Sequence, residues 1–387
     1  MTDSPFDVPL GALRRRTSAK WRAFGPDVLP AWVAEMDFAL AEPIQHALRD
    51  AVDRSDTGYM DIGELPQALA DYASTTWSWS VDPTHVLVMP DVVTGIAAAI
   101  EAFTAPGDGI VVNTPVYPPF FSTIDAVTRR RVVDVPMARD DAGAYRLDLE
   151  AIDIALAQPG VTALLLCSPH NPTGTVPSPE ELDAIARMAH AHGALVIADE
   201  IHAPLTMPGV THTPFLTRAV DGMKAVSVIS ASKSWNIPGL KCAQVVSSST
   251  EVDARLREST SMETIYGTGL FGVLASIAAY REGQAWLEEA RTVIAANVER
   301  TAQVVRERLP LVRHVPPRAT YLAWLDCTAT PVAQDPARAL LETARLAVTD
   351  GAGFGANGRG FIRLNLGTSP AILDEALARV VRVIGGA

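Results

Sequence analysis

Cysteine is nearly missing from this chain. Only Cys167, Cys242 and Cys327 occur in 387 residues, an odd number with no C-x-x-C spacing. That excludes a disulfide framework and gives no sign of a zinc site. Positive charge is also in deficit, with 32 Lys and Arg against 44 Asp and Glu and a net charge of −12. A chain this acidic is a poor binder of nucleic acid or anionic membrane. No long apolar run is present. The most apolar stretch, GTGLFGVLASIAAY (267–280), is shorter than the roughly 18 residues a membrane span needs. The first twenty-one residues, MTDSPFDVPLGALRRRTSAKW, contain no apolar secretory core. Repeats and low-complexity tracts are absent as well. The expectation is a cytoplasmic globular protein acting on a small molecule, with no nucleic acid, membrane or metal partner. Its length suits two or three structural units.

What is present is an alternation of strands and helices. The apolar runs VLVM (86–89), GIVVN (109–113), TALLLC (162–167), ALVIA (194–198) and AVSVI (225–229) read as strands covered on both faces. A helical pattern over 94–103 follows the first. SPEELDAIARMAHAHG (178–193) carries a capping box, Ser178 with Glu181, and Pro179 at the first helical position. Leu182, Ile185, Ala186 and Ala189 form its apolar face, and Gly193 ends it. Strands separated by capped helices imply βαβ units and a mostly parallel sheet. From about residue 285 the pattern changes to one long charged helix (286–309) and then to short mixed elements.

In such a sheet ligands bind beyond the carboxyl ends of the strands. The segments there are PDVVTG, TPVYPPF, SPHNPTG, DEIH and SASKSWN. An aromatic ring, an amide, a carboxylate and a lysine are therefore expected at one edge. That set suits Schiff-base chemistry with a carbonyl cofactor such as pyridoxal phosphate (PLP). An aspartate keeps the pyridine nitrogen protonated, an aromatic stacks on the ring, and a helix N-terminus receives the phosphate.

HNPTG (170–174), D-x-x-H (199–202) and S-x-S-K-x-x-N-x-x-G-L-K (230–241) resemble the main motifs of fold-type I PLP enzymes, the aspartate aminotransferase superfamily. Within it the chain is most similar to the MalY/PatB group of cystathionine β-lyases and related C–S lyases. The segments behind that are KWRAFGPDVLPAWVAEMDF (20–38), GYMDIGE (58–64), PVYPPFF (115–121), TYLAWLD (320–326) and FIRLNLGTS (361–369). The resemblance implies an α/β fold. A large PLP-binding domain (46–284) has a mostly parallel seven-stranded sheet, and a smaller α+β domain (285–387) is joined by the N-terminal segment (1–45).

It also implies roles. Lys233 is the Schiff-base lysine and proton-transfer base, Asp199 the partner of the pyridine nitrogen, and Tyr117 the stacking ring. Asn171 bonds the ring oxygen, with His202 nearby. Ser230, Lys241 and the amides of Val92 and Val93 hold the phosphate. Tyr59 reaches the phosphate of a partner subunit, which implies a homodimer. Arg363 grips the substrate α-carboxylate, a bidentate task suited to guanidinium. Several have plainer alternatives. Asn171 before Pro172 is also turn chemistry, Tyr117 also suits a core, and Lys241 also suits a surface; Cys167 and Cys242 read as small core residues. Arg363 also suits a structural ion pair, yet a buried arginine is costly without an anion.

The implied reaction is α,β-elimination of a sulfur amino acid to a thiol, pyruvate and ammonia. The alternatives are an aminotransferase, decarboxylating deamination of an S-conjugate in a biosynthetic pathway, and a regulatory protein that keeps the fold. Intact Lys233 and Asp199 argue against the last. Three departures from the group's pattern, Glu35, Ala203-Pro204 and Trp235, are expected to reshape the substrate pocket.

Overall fold

The computed structural model describes residues 4–385. At its centre lie seven strands: β1 (Val86–Met89), β2 (Gly109–Val112), β3 (Arg131–Asp134), β4 (Val161–Cys167), β5 (Leu195–Asp199), β6 (Ala225–Ile229) and β7 (Ala243–Ser247). Their order across the sheet is β1-β7-β6-β5-β4-β2-β3. Neighbours pair in parallel except β7, which runs antiparallel to both β1 and β6.

The expected strands all form. Their two faces enter different cores, as the two-residue period of a strand requires. Ala163, Leu165 and Ile197 join the core under α1 (Val92–Phe103), while Leu164, Leu166 and Val196 join the one under α2 (Pro179–Ala191). Each such Leu, Ile or Val side chain, fully buried, stabilises the fold by roughly 1.5–3 kcal/mol. The capping box on α2 is complete, with Ser178 Oγ accepting from Glu181 N and Glu181 Oε2 accepting from Ser178 N. Gly193, at φ +66°, turns the chain out of the helix into β5.

Two strands of this sheet escaped the sequence reading. β3 is an edge strand with one buried residue in four, so it carries almost no apolar signal. β7 is fully buried, but Gln244 interrupts its apolar run; its amide oxygen is held by the Tyr280 hydroxyl at 2.7 Å.

The C-terminal part opens with the long helix α3 (Gln284–Arg308). Four antiparallel strands follow: β8 (Arg313–His314), β9 (Leu322–Asp326), β10 (Thr349–Asp350) and β11 (Phe361–Asn365), in the order β8-β9-β11-β10. The N-terminal segment pairs with this part, Leu29–Pro30 lying parallel to Leu346–Ala347. It then runs on as a strap over residues 31–37. Asn365 Nδ2 donates to the carbonyls of Val33 and Glu35, both at 2.7 Å. Asn236 holds both backbone groups of Met36 at 2.8 Å, in a left-handed conformation (φ +58°) that asparagine tolerates well.

A buried ion pair anchors the strap. Lys20 Nζ lies 2.9 Å from Asp37 Oδ1, both side chains are almost sealed from solvent, and Trp21 Nε1 donates to the same carboxylate. Removing one partner leaves the other charged and uncompensated. Lys20→Met is therefore expected to destabilise the protein by about 3 kcal/mol, read as a lower urea midpoint. The double change Lys20→Met/Asp37→Leu should recover most of that loss. Equal losses in the single and double variants would show that the ion pair is not the anchor.

Candidate active site

The carboxyl ends of the parallel strands open into one cavity of about 250 Å³. β1 leads to Asp91 and α1, β2 to Tyr117, β4 to Asn171, β5 ends at Asp199, and β6 leads into Lys233. Arg363 enters from β11, and the strap contributes Val33 and Ala34. Val92, Val93, His202 and Lys241 complete the set of expected residues that line it.

Two expected residues lie elsewhere. Ser230 is buried, and its hydroxyl caps the short helix that carries Lys233. It accepts from Ser232 N at 3.1 Å and donates to the Cys242 carbonyl at 2.7 Å. Ser232 is the serine that lines the cavity. Tyr59 is 91% exposed and outside the cavity of its own chain, its ring 6.1 Å from that of Tyr266. The three departures do not line the cavity either. Trp235 is fully buried and donates to the Gly283 carbonyl, Glu35 accepts from the Ser18 hydroxyl, and Ala203-Pro204 lie in the core. The expectation that they reshape the pocket is corrected to this extent: none lines its wall, although the charge of Glu35 acts on Lys233, raising its pKa against the effect of burial.

Asp91 was not anticipated. It caps α1 by accepting from Thr94 N at 2.9 Å and pairs with Lys241 Nζ at 2.9 Å. Its signal was legible, since Asp followed three residues later by Thr at a helix start is cap chemistry. Val33, Ala34, Ile201 and Pro238 fall inside the quoted segments, but only tertiary packing shows that they reach the cavity.

The electrostatics follow from burial. Asp199 is pushed up to about 7, chiefly by loss of water and then by the adjacent Glu200, against the Ile201 amide that donates to it at 3.1 Å. Lys233 is lowered to about 8, first by burial and then by the charge of Arg363. Its Nζ donates to the Ala34 carbonyl at 2.8 Å, a neutral acceptor. His202 is held neutral, its pKa lowered to about 3 by burial and by Lys233 and Arg363; its Nδ1 is buried and without a hydrogen-bond partner.

Arg363 is the most unusual group. It is 5% exposed, and every partner it has is neutral. Nη1 donates to Asn171 Oδ1 at 3.0 Å, and Nη2 donates to the Trp32 carbonyl at 3.1 Å and Thr349 Oγ1 at 3.2 Å. Nε is buried without an acceptor. No carboxylate of the described residues lies within ion-pairing distance of it. A buried cation in this state calls for an anion from outside.

These residues fit the cofactor that the resemblance implies. Lys233 offers an amine that would bond the cofactor's carbonyl carbon, and Asp199 a buried carboxylate that would pair with a cationic ring nitrogen. The first amides of α1 have no acceptor within the helix and face the cavity end where Lys241 stands. No cluster of metal-ligating side chains exists among the described residues.

A family model, aminotransferase class I and II, matches residues 29–380. The chain is 36% identical to the cystathionine β-lyase of Corynebacterium glutamicum, over 97% of this chain and 99% of that protein. To the cystathionine β-lyase PatB of Bacillus subtilis it is 35% identical, over 94% and 95%. Among solved structures it matches cystalysin from Treponema denticola, which contains PLP, with TM-score 0.90 and 26% identity over 99% of this chain and 98% of that one.

Proposed function

We infer the function of this chain from the premise that it belongs to the class I and II aminotransferase family, in the MalY/PatB-type group of cystathionine β-lyases. It is a PLP-dependent carbon–sulfur β-lyase, cleaving a sulfur amino acid to a thiol, pyruvate and ammonia by α,β-elimination. The observation that carries the substrate side is Arg363, a buried guanidinium without an acid partner, opening into the same cavity as a lysine of lowered pKa.

Bound PLP supplies a ring that accepts the electron pair left at the substrate's α-carbon. The chain's own residues do the rest. Arg363 takes the α-carboxylate, anchored by its hydrogen bonds to Asn171, Thr349 and the Trp32 carbonyl, and so presents the α-hydrogen to Lys233. Lys233 Nζ, as the neutral amine, takes that proton. Its lowered pKa keeps a useful neutral fraction near pH 8. The same proton is then available on Nζ to the departing sulfur. Asp199 would be the ionised partner of the ring nitrogen, whose positive charge would oppose the raised pKa that burial imposes. Tyr117 would stack on the ring, and His202, kept neutral, would stand with Asn171 at the ring oxygen. Val92 and Val93 amides, Ser232 and Lys241 would hold the phosphate, with Ser230 supporting the turn behind them.

Tyr59, Ile62, Met262 and Tyr266 are exposed apolar side chains. We propose that a second copy of the chain covers Tyr59, placing its hydroxyl at the partner's phosphate. No helix of the described residues is long and apolar enough to cross a membrane. We place the enzyme in the cytoplasm, where its three buried thiols stay reduced.

The test is an assay with L-cystathionine and no added keto acid. Catalytic pyruvate release is expected. A single bleaching of the cofactor, with turnover only after a keto acid is supplied, would overturn the reading in favour of transamination.

A further inference from the structure

Arg363 has a partner that hydrogen bonds do not reveal. Its guanidinium carbon lies 5.0 Å from the centroid of the Phe354 ring. Phe354 is fully buried and belongs to a small aromatic cluster. Trp324 meets it edge-on at 5.2 Å and stacks on Phe361 at 5.0 Å with an interplanar angle of 14°. Trp324 is also the register partner of Arg363 across β9 and β11. The ring beneath the guanidinium is thus itself held by a strand that pairs with the arginine's own.

The backbone of Phe354 reaches the other way. Its carbonyl accepts from Val116 N at 2.8 Å, one residue before Tyr117. The next residue, Gly355, sits at φ +125° with its α-carbon so close to Thr114 that a Cβ would lie 2.9 Å from Thr114 Cγ2. One residue therefore touches the C-terminal group that meets the substrate and the loop that carries the stacking ring.

We propose that Phe354 is a positioning residue: its ring sets the plane of the Arg363 guanidinium for the substrate carboxylate, and its backbone ties that setting to the Tyr117 loop. The proposal rests on the reading of Arg363 as the α-carboxylate group. The physical ground is that a desolvated guanidinium, short of anionic partners, is stabilised by the negative face of an aromatic ring. Bidentate recognition of a carboxylate also demands a fixed plane, and the Phe354 ring bears on the face of the guanidinium, a direction that its in-plane N–H donors do not occupy.

The experiment uses holoenzyme and two carbonyl reagents that differ in one group. Aminooxyacetate carries a carboxylate and methoxyamine does not; both react with the cofactor carbonyl and are followed by loss of its absorbance. The ratio of their rate constants measures carboxylate recognition without turnover. In Phe354→Leu the ratio is expected to fall about tenfold, with the methoxyamine rate constant unchanged. The KM for L-cystathionine should rise by a similar factor while kcat holds. Phe361→Leu removes a ring from the same cluster and should leave the ratio intact. Phe354→Met carries the same test where the leucine variant does not fold.

An unchanged ratio in Phe354→Leu, or an equal fall in Phe361→Leu, would overturn the proposal and leave Phe354 as packing. Arg363→Lys separates the two readings. If it keeps the ratio, Arg363 is not the carboxylate group and both fall; if it loses the ratio while Phe354→Leu keeps it, only the role of Phe354 falls.

Discussion

Lys233→Ala is expected to lower pyruvate release from L-cystathionine by at least about 10⁴-fold, because one amine both binds the cofactor covalently and moves the α-proton. PLP should still enter the cavity and be held by its phosphate, and added methylamine should restore part of the activity. Above about 1% residual activity without added amine, the proton must be moved by another group and the role of Lys233 is wrong. The wild-type protein offers a companion measurement. In cofactor-free protein the ammonium of Lys233 is disfavoured by burial and by Arg363, so its pKa stands at about 8 and not at the ordinary 10.5. Covalent capture of PLP needs the neutral amine. Its rate should therefore rise with pH and reach half its plateau near pH 8. A half-point above pH 10 would mean that the protein does not tune this lysine before the cofactor arrives.

Asp199→Asn is expected to move stability and activity in opposite directions. In cofactor-free protein the buried carboxyl has its pKa raised from 3.8 to about 7. A raised folded-state value means that its contribution is most favourable below pH 3.8 and is lost as pH rises through about 7. Cofactor-free protein at pH 8 thus carries a buried carboxylate whose loss of water outweighs the Ile201 amide and the nearby Lys233, with Glu200 adding to the penalty. Asparagine keeps the acceptor for the Ile201 amide and removes the charge. The variant should be more stable at pH 8 by on the order of 2 kcal/mol, and the gain should fade toward pH 4. Its turnover should nevertheless fall about 10²–10⁴-fold, because no anion remains to keep the ring nitrogen protonated. Thermal unfolding of cofactor-free wild type and variant across this pH range decides the first part. A melting temperature at pH 8 no higher than wild type would show that Asp199 is compensated without the cofactor.

These expectations draw unequally on sequence and structure. The parallel strands, the capped helix over 179–191 and the lysine motif were all legible, because each depends on residues within a few positions of one another. Periodicity, a capping box and a small-residue turn are local physics. β3 and β7 were not legible, since an edge strand and a strand broken by Gln244 lack the continuous apolar run that marks a buried strand. Ser230 shows the limit within a motif. Its spacing from Lys233 was readable, but whether its hydroxyl faces a ligand or caps the turn depends on where Cys242 lies.

The sequence alone determined that a lysine, an aspartate, an asparagine and an aromatic ring would gather at one sheet edge, since strand direction and the length of each connection leave few other places for them. Only the tertiary structure decided what those groups meet there. Lys233 donates to a carbonyl 199 residues away, Arg363 is held by Asn171 across 192 residues, and Phe354 links β11 to the Tyr117 loop. The reason is that burial, orphaned polar groups and shifted pKa values belong to pairs of distant residues. They exist only after the strap has closed over the sheet and water has been driven from between them.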